Sequence, residues 1–193
     1  MSARAHSIRV GVPPPTLLVA GAVIAIEFWL YLRYADLGAQ FHFWLHGLFG
    51  GAIGLSLLGA WRIVRPTRLS PWGPGFLGHI YAAFPDVLFL SAGLVHMFWM
   101  DAFAFHISLH FIPAPLWWML GVFVLALVGE RLAVHRRRAA GVGVLALGVG
   151  AVALGLALRA PLPDTLQEVC ARPGVAVLCP LAPAEGQPDV AHR

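Results

Sequence analysis

Long apolar runs separated by short polar segments dominate the chain. Windows of membrane-spanning length and hydropathy predict five helical spans, at about residues 16–34, 41–62, 75–100, 115–133 and 139–158. The third span contains Pro85, where we expect a break between two half-helices, with Asp86 starting the outer half. Residues 101–111, which precede Pro113 and Pro115, are expected to form a short interfacial or re-entrant helix. The pattern therefore predicts an all-α, polytopic membrane bundle of about five transmembrane helices.

Composition supports a membrane protein and limits its domains. Of the 193 residues, 59% are hydrophobic and 11% are charged, which is typical of a polytopic membrane protein and excludes an ordinary soluble domain. The five spans leave no room for a separate large domain. We therefore expect a transmembrane helical domain at residues 1–159 and an extracytoplasmic tail, rich in Pro and Ala, at residues 160–193. No nucleic-acid-binding motif is visible. We expect the chain to contact membrane lipids.

The distribution of basic residues predicts an orientation. All 13 basic residues are Arg, and nine of them precede the first span or fill the loops after the second and fourth: Arg4, Arg9, Arg62, Arg65, Arg68, Arg131, Arg136, Arg137 and Arg138. Because positive loops stay cytoplasmic, the N-terminus is predicted to be cytoplasmic and the C-terminus extracytoplasmic. Cys170 and Cys179 would then lie in an oxidising compartment, where they could form a disulfide or remain unpaired thiols.

Ionisable side chains accumulate where a membrane protein normally has few. Placing each charge at bilayer depth costs roughly 2.5–3.5 kcal/mol of free energy. The predicted topology brings most of them to the extracytoplasmic ends of the spans, and Asp86, nearer mid-membrane, could reach a metal held by His46. Two H-x-x-x-H pairs, His42 with His46 and His106 with His110, place imidazoles one helical turn apart, a recurrent zinc arrangement. We therefore predict a site for a divalent metal, with zinc as first choice, whose ligands come from His42, His46, Asp86, His96, His106 and His110.

Two further acidic residues are candidates for catalysis. Asp101 and Glu27 lie near the predicted site, and either could act as the general base toward a metal-bound water. A site at the outer interface favours a lipid or lipid-linked substrate that enters from the leaflet. By contrast, His79 is interpreted as structural, and Glu130 as an interfacial partner of its neighbour Arg131.

The order of these motifs resembles that of small membrane-bound metal-dependent hydrolases, a family loosely similar to zinc-dependent phospholipase C. The matching elements are His46 in HGLFGGAIGL, Asp86 in FPDVLFL, and His106 with His110 in FHISLH. They span about residues 41–118 and imply metal-dependent hydrolysis. The chain departs from the family pattern after the Pro-Asp pair, where a second acidic residue is replaced by Val-Leu-Phe. A later H-x-x-x-D is also absent, although His96 and Asp101 could replace it.

Two other functions remain open at this stage. His46 and His96, on different spans, could ligate a haem axially, as in a b-type cytochrome or a quinone-linked redox subunit. Alternatively, the chain could be a non-catalytic subunit of a membrane complex, with its polar side chains meeting partner helices. The sequence does not define the oligomeric state.

Overall fold

The computed structural model describes residues 14–92 and 98–162, and every regular element in that part of the chain is helical. The five long helices are α1 (Pro14–Asp36), α2 (Gln40–Val64), α3 (Trp72–Ala92), α4 (Pro115–Val134) and α5 (Arg138–Ala157). Among the described residues, α1, α2, α4 and α5 are each long and apolar enough to cross a membrane. The predicted all-α bundle is therefore confirmed, and the chain is a multi-pass membrane protein.

Helix α2 forms the centre of the bundle, with α3 and α4 packed along it and α1 and α5 further out. The contact with α3 is unusually close because glycines line it on both sides. A Cβ built on Gly50 would lie 2.2 Å from the Gly78 carbonyl oxygen, and one built on Gly54 would lie 1.9 Å from the Pro74 carbonyl oxygen. Small residues of this kind allow the backbones of membrane helices to approach each other. The glycine-rich HGLFGGAIGL segment thus fixes how near α2 lies to α3.

Helices α4 and α5 pack against each other through glycines of their own; we call this helix pair the second hairpin. Gly141, Gly148 and Gly155 recur every seven residues along α5 and are buried. The Trp118 indole of α4 lies against Gly155 and donates a hydrogen bond to the Ala151 carbonyl at 2.9 Å. Smooth, small-residue faces compensate for the weak hydrophobic force between helices in lipid. This contact places the C-terminal end of α5 beside the start of α4.

A buried ion pair joins α2 to α4 at the end of the bundle away from the histidines. The Glu130 side chain is fully buried, and its carboxylate pairs with the Arg62 guanidinium, while Arg131 Nε lies 3.7 Å away. The expected Glu130–Arg131 contact is thus present, but Arg131 is largely exposed. The partner that neutralises the buried carboxylate is Arg62, from a different helix.

The break predicted at Pro85 is wrong, because α3 continues through it to Ala92. Proline lacks an N–H, so the Tyr81 carbonyl, four residues earlier, has no helical donor from Pro85, and the proline ring crowds that turn. Membrane helices nevertheless tolerate an internal proline where neighbouring groups pack around it. In this chain, the next carbonyl, that of Ala82, accepts a hydrogen bond from His106, which ties this turn to the α3–α4 connection.

The α3–α4 connection (residues 98–114) is built from two short 3₁₀ helices, Phe98–Ala102 and Ser108–Phe111, instead of the single short helix expected. Between them, Ala104 and Phe105 have φ angles of 55° and 53°. This left-handed conformation is unfavourable for residues that carry a Cβ. Surrounding contacts must therefore hold the connection in place. His96, together with Cys170 and Cys179, lies outside the described residues.

Candidate metal centre

Five of the six predicted ligands come together at one end of the bundle. Helix α2 contributes His42 and His46, α3 contributes Asp86, and the α3–α4 connection contributes His106 and His110. The first four are at most 1% exposed. Two sets of three residues have ligand atoms within 4.8 Å of one another, and His46 belongs to both. We call His46, Asp86 and His106 the carboxylate set, and His42, His46 and His110 the histidine set; each could hold a metal ion.

Asp86 is the anionic centre of the carboxylate set. Its Oδ1 lies 3.1 Å from His106 Nε2, and its Oδ2 lies 3.7 Å from His46 Nε2. Two ligands of a tetrahedral zinc ion, each about 2.0–2.1 Å from the metal, are separated by about 3.3 Å. The observed separations bracket that value. On the side of Asp86 that faces α1, the buried Tyr34 hydroxyl donates a hydrogen bond to Oδ2 at 2.8 Å.

A backbone contact fixes the orientation of His106. Its Nδ1–H donates to the Ala82 carbonyl at 3.0 Å, so Nε2 is the nitrogen that faces Asp86. A metal-ligating histidine typically donates one ring N–H to a carbonyl or carboxylate; here Ala82 takes that role, which leaves Nε2 as the nitrogen that could ligate a metal beside Asp86. Burial disfavours a charge on His106, but the Asp86 carboxylate and the hydrogen bonds outweigh this effect and raise the pKa of the imidazole.

His46 is held differently. Within the described part of the chain, both of its ring nitrogens are buried and make no hydrogen bond. Its ring stacks on that of His106, with a centroid distance of 4.0 Å and an interplanar angle of 11°. A nitrogen lone pair lies in the plane of its ring, so two nearly parallel stacked rings cannot both point at one ion. Because His106 is fixed by Ala82, we expect His46 to rotate when a metal binds.

Asp101 organises the α3–α4 connection. Its Oδ1 accepts hydrogen bonds from the backbone N–H groups of Ile107 and Ser108 at 2.7 and 2.8 Å, and its Oδ2 accepts one from the Ser108 hydroxyl at 2.5 Å. The Arg159 guanidinium, just beyond α5, donates to the same hydroxyl. These contacts secure the strained turn that carries His106. They give Asp101 a positioning role, and its action as general base stays a prediction.

Glu27 lies in a separate polar pair. Its carboxylate accepts a hydrogen bond from His79 Nδ1, which lies 2.8 Å from Oε1 and 2.7 Å from Oε2. His79 is buried and packs edge-on against the Phe43 ring. His79 thus has a structural role, as expected: it joins α3 to Glu27 of α1. Neither residue belongs to the carboxylate or the histidine set, and a catalytic role of Glu27 stays a prediction.

Sequence reasoning missed two contributors to the centre, Tyr34 and the Ala82 carbonyl. Tyr34 ends the first predicted span, where a tyrosine is ordinary in a membrane protein, so nothing singled it out. The Ala82 carbonyl could have been suspected, since it lies in the turn before Pro85. Comparison with known proteins adds nothing to this geometry: no family model, no curated protein and no solved structure matches the chain.

Proposed function

We propose that this chain is a membrane-embedded, metal-dependent hydrolase whose divalent ion is held by the carboxylate set. The observation that carries the proposal is the way the three ligands are prepared. Asp86 is oriented by Tyr34 and His106 by the Ala82 carbonyl, while His46 is buried with no hydrogen-bond partner among the described residues. Buried polar groups are normally satisfied, and orienting contacts from outside are typical of metal ligands.

Among the described residues the carboxylate set offers three ligands, a number that favours catalysis over a structural role. Structural zinc sites are closed by four protein ligands, whereas catalytic sites have three and keep a position for water or substrate. A bound divalent ion at such a centre supplies a Lewis acid and an activated water near neutral pH. The chain itself contributes the fixed carboxylate of Asp86, the oriented imidazole of His106 and a buried environment that strengthens both electrostatic contacts.

A hydrocarbon-lined groove supports a lipid or lipid-linked substrate. A cavity of about 400 Å³ lies between α2, α4 and α5, and its lining includes Phe49, Val122 and Val152, with Ser56 as its polar residue. Phe49 is one helical turn after His46, and Phe105, also in the lining, directly precedes His106. The groove lining thus includes sequence neighbours of two proposed ligands, whereas the ligands themselves are not part of it. An acyl or isoprenoid chain fits that shape and chemistry.

The packing around His46 argues against the haem alternative. A porphyrin needs open space beside the axial imidazole. In this structure, the His46 ring is stacked on His106 and also has His42 and His110 within 6.0 Å and 5.4 Å, measured between ring centroids. Clustered imidazoles beside a carboxylate suit a small ion such as zinc, and not a macrocycle.

The test combines metal analysis with hydrolysis assays on the detergent-purified full-length chain. We expect the wild type to bind zinc and to cleave long-chain phosphodiester or ester substrates, with activity lost on chelation and restored by metal. Asp86→Asn should lower the metal content by one ion per chain and abolish hydrolysis. His135→Gln, at an exposed position after α4, should change neither. A metal-free wild type, or full metal content in Asp86→Asn, would refute the metal centre; bound metal without hydrolysis of any substrate would refute the enzymatic part.

A further inference from the structure

We infer that the cluster binds two metal ions, one in the carboxylate set and one in the histidine set, and that the His46 imidazole bridges them. This inference rests on the proposed function, because it takes the ion in the carboxylate set as given. It adds a second ion and assigns both ring nitrogens of one residue to ligation.

The ring geometry of the histidine set suits an ion of its own. The centroid distances are 4.5 Å between His42 and His110, 6.0 Å between His42 and His46, and 5.4 Å between His46 and His110. The corresponding interplanar angles are 47°, 36° and 66°. Unlike the stacked pair of His46 and His106, these rings are inclined to one another, and one ligand atom of each lies within 4.8 Å of the others. Three imidazoles are a recognised catalytic zinc set.

His46 is the residue that requires the second ion. A ligating histidine normally donates its other ring N–H to a carboxylate, a carbonyl or water. Both nitrogens of His46 are fully buried and have no hydrogen-bond partner among the described residues. One ion would therefore satisfy one nitrogen and leave the other buried and unsatisfied, which is unfavourable. A second ion on the opposite nitrogen removes that deficiency.

Charge balance is consistent with a bridge. When an imidazole binds a metal through both nitrogens, it loses its remaining N–H proton to solvent and becomes an anion. The imidazolate of His46 and the carboxylate of Asp86 then place two negative charges within a cluster that holds two divalent ions. The anion between the two ions reduces their mutual repulsion. Imidazole-rich sets of this kind suit zinc, copper or nickel.

The experiment measures zinc per chain in the detergent-purified, full-length protein after loading with zinc and removal of the excess. We expect two ions in the wild type. His110→Gln or His42→Gln should retain one, Asp86→Asn should retain one, and His46→Gln should retain none. His79→Gln is the matched control, because His79 is also buried but belongs to neither set, and it should retain two.

Loading with Cu²⁺ provides a second readout that does not depend on stoichiometry. Electron paramagnetic resonance should show two coupled spins in the wild type and isolated Cu²⁺ signals in His110→Gln. Size-exclusion chromatography and circular dichroism check that each variant is folded. Should His46→Gln fail to fold, His110→Gln and Asp86→Asn still decide the question, because they remove ligands from different sets.

The outcomes separate this inference from the proposed function. A wild type with one ion, kept in His110→Gln and lost in Asp86→Asn, overturns the bridge and leaves the proposed ligand set intact. One ion that is lost in His110→Gln and kept in Asp86→Asn overturns both the bridge and that ligand set. A wild type that binds no zinc overturns both. Two ions without spin coupling overturn the bridge alone.

Discussion

Replacing Gly50 by alanine tests whether the close contact of α2 with α3 sets the geometry of the metal ligands. The new Cβ would lie 2.2 Å from the Gly78 carbonyl oxygen, whereas ordinary van der Waals contact starts at 3.4 Å. The two helices must therefore separate by about 1.2 Å locally. Gly50 lies one turn from His46 on α2, and Gly78 lies two turns from Asp86 on α3. The displacement thus acts directly on the pair of ligands.

The consequence for metal binding follows from bond lengths. His46 Nε2 and Asp86 Oδ2 are already 3.7 Å apart, wider than the separation of about 3.3 Å between two ligands of a tetrahedral zinc ion, and separating the helices widens this gap. We therefore expect Gly50→Ala to weaken zinc binding by the carboxylate set. Overpacking should also destabilise the fold by about 1–3 kcal/mol, reduced by the roughly 0.5–1 kcal/mol that alanine gains over glycine in a helix.

Thermal unfolding in detergent and zinc competition titrations measure both effects. Gly121→Ala on α4 is the matched control, since a Cβ there meets no atom within 4 Å. It should leave zinc affinity unchanged and keep or slightly raise the melting temperature. If Gly50→Ala has the same melting temperature and the same zinc affinity as the wild type, the glycine contact does not set the ligand spacing, and the reasoning is wrong.

Three further predictions concern the groups that support the site and the bundle. Tyr34→Phe removes the hydroxyl that orients Asp86, so zinc affinity should fall about 10–100-fold in a competition titration while the fold is retained; unchanged affinity would show that the contact is incidental. Asp101→Asn disrupts the acceptors that secure the strained turn, and it should weaken zinc binding and speed amide exchange in residues 104–110; an unaltered exchange pattern would argue against a positioning role. Arg62→Leu leaves the Glu130 carboxylate buried without its main partner and should lower stability by about 3–5 kcal/mol, whereas combining it with Glu130→Leu should recover most of the loss; a double variant as unstable as the single one would show that packing, and not charge, is responsible.

Hydropathy was sufficient to predict the helices because each span is a continuous apolar run with polar ends. Helices α2, α4 and α5 begin and end within a few residues of the predicted bounds. The error at Pro85 has a physical cause: a proline signals a possible break, but whether the helix continues depends on the tertiary packing around it. One such contact comes from His106, 24 residues away, which donates to the Ala82 carbonyl in the turn before the proline. The predicted orientation in the membrane stays a prediction.

The clustered histidines and Asp86 could be singled out because they stand out against an apolar background, but their grouping could not; that they ligate a metal stays a prediction. Spacing places His42 and His46 on one face of a helix, yet it gives no distance from that face to Asp86 or to His110. Only packing of α2 against α3 and the connection divides the five residues into two sets that share His46. For the same reason, Glu130 was paired with its neighbour in sequence, whereas the fold supplies Arg62 from another helix.

The contacts at the end of α5 have a consequence for the order in which the chain matures during synthesis. All five clustered residues have been made once His110 leaves the ribosome. The turn that carries His106 receives its last ties only later, when Arg159 reaches Ser108 and the Ala160 N–H donates to the Phe111 carbonyl at 2.9 Å. About 50 residues, including both helices of the second hairpin, separate these two events. For the proposed metal site, a nascent chain should therefore be able to capture an ion before it can hold it tightly, and insertion of α5 would be the step that secures it.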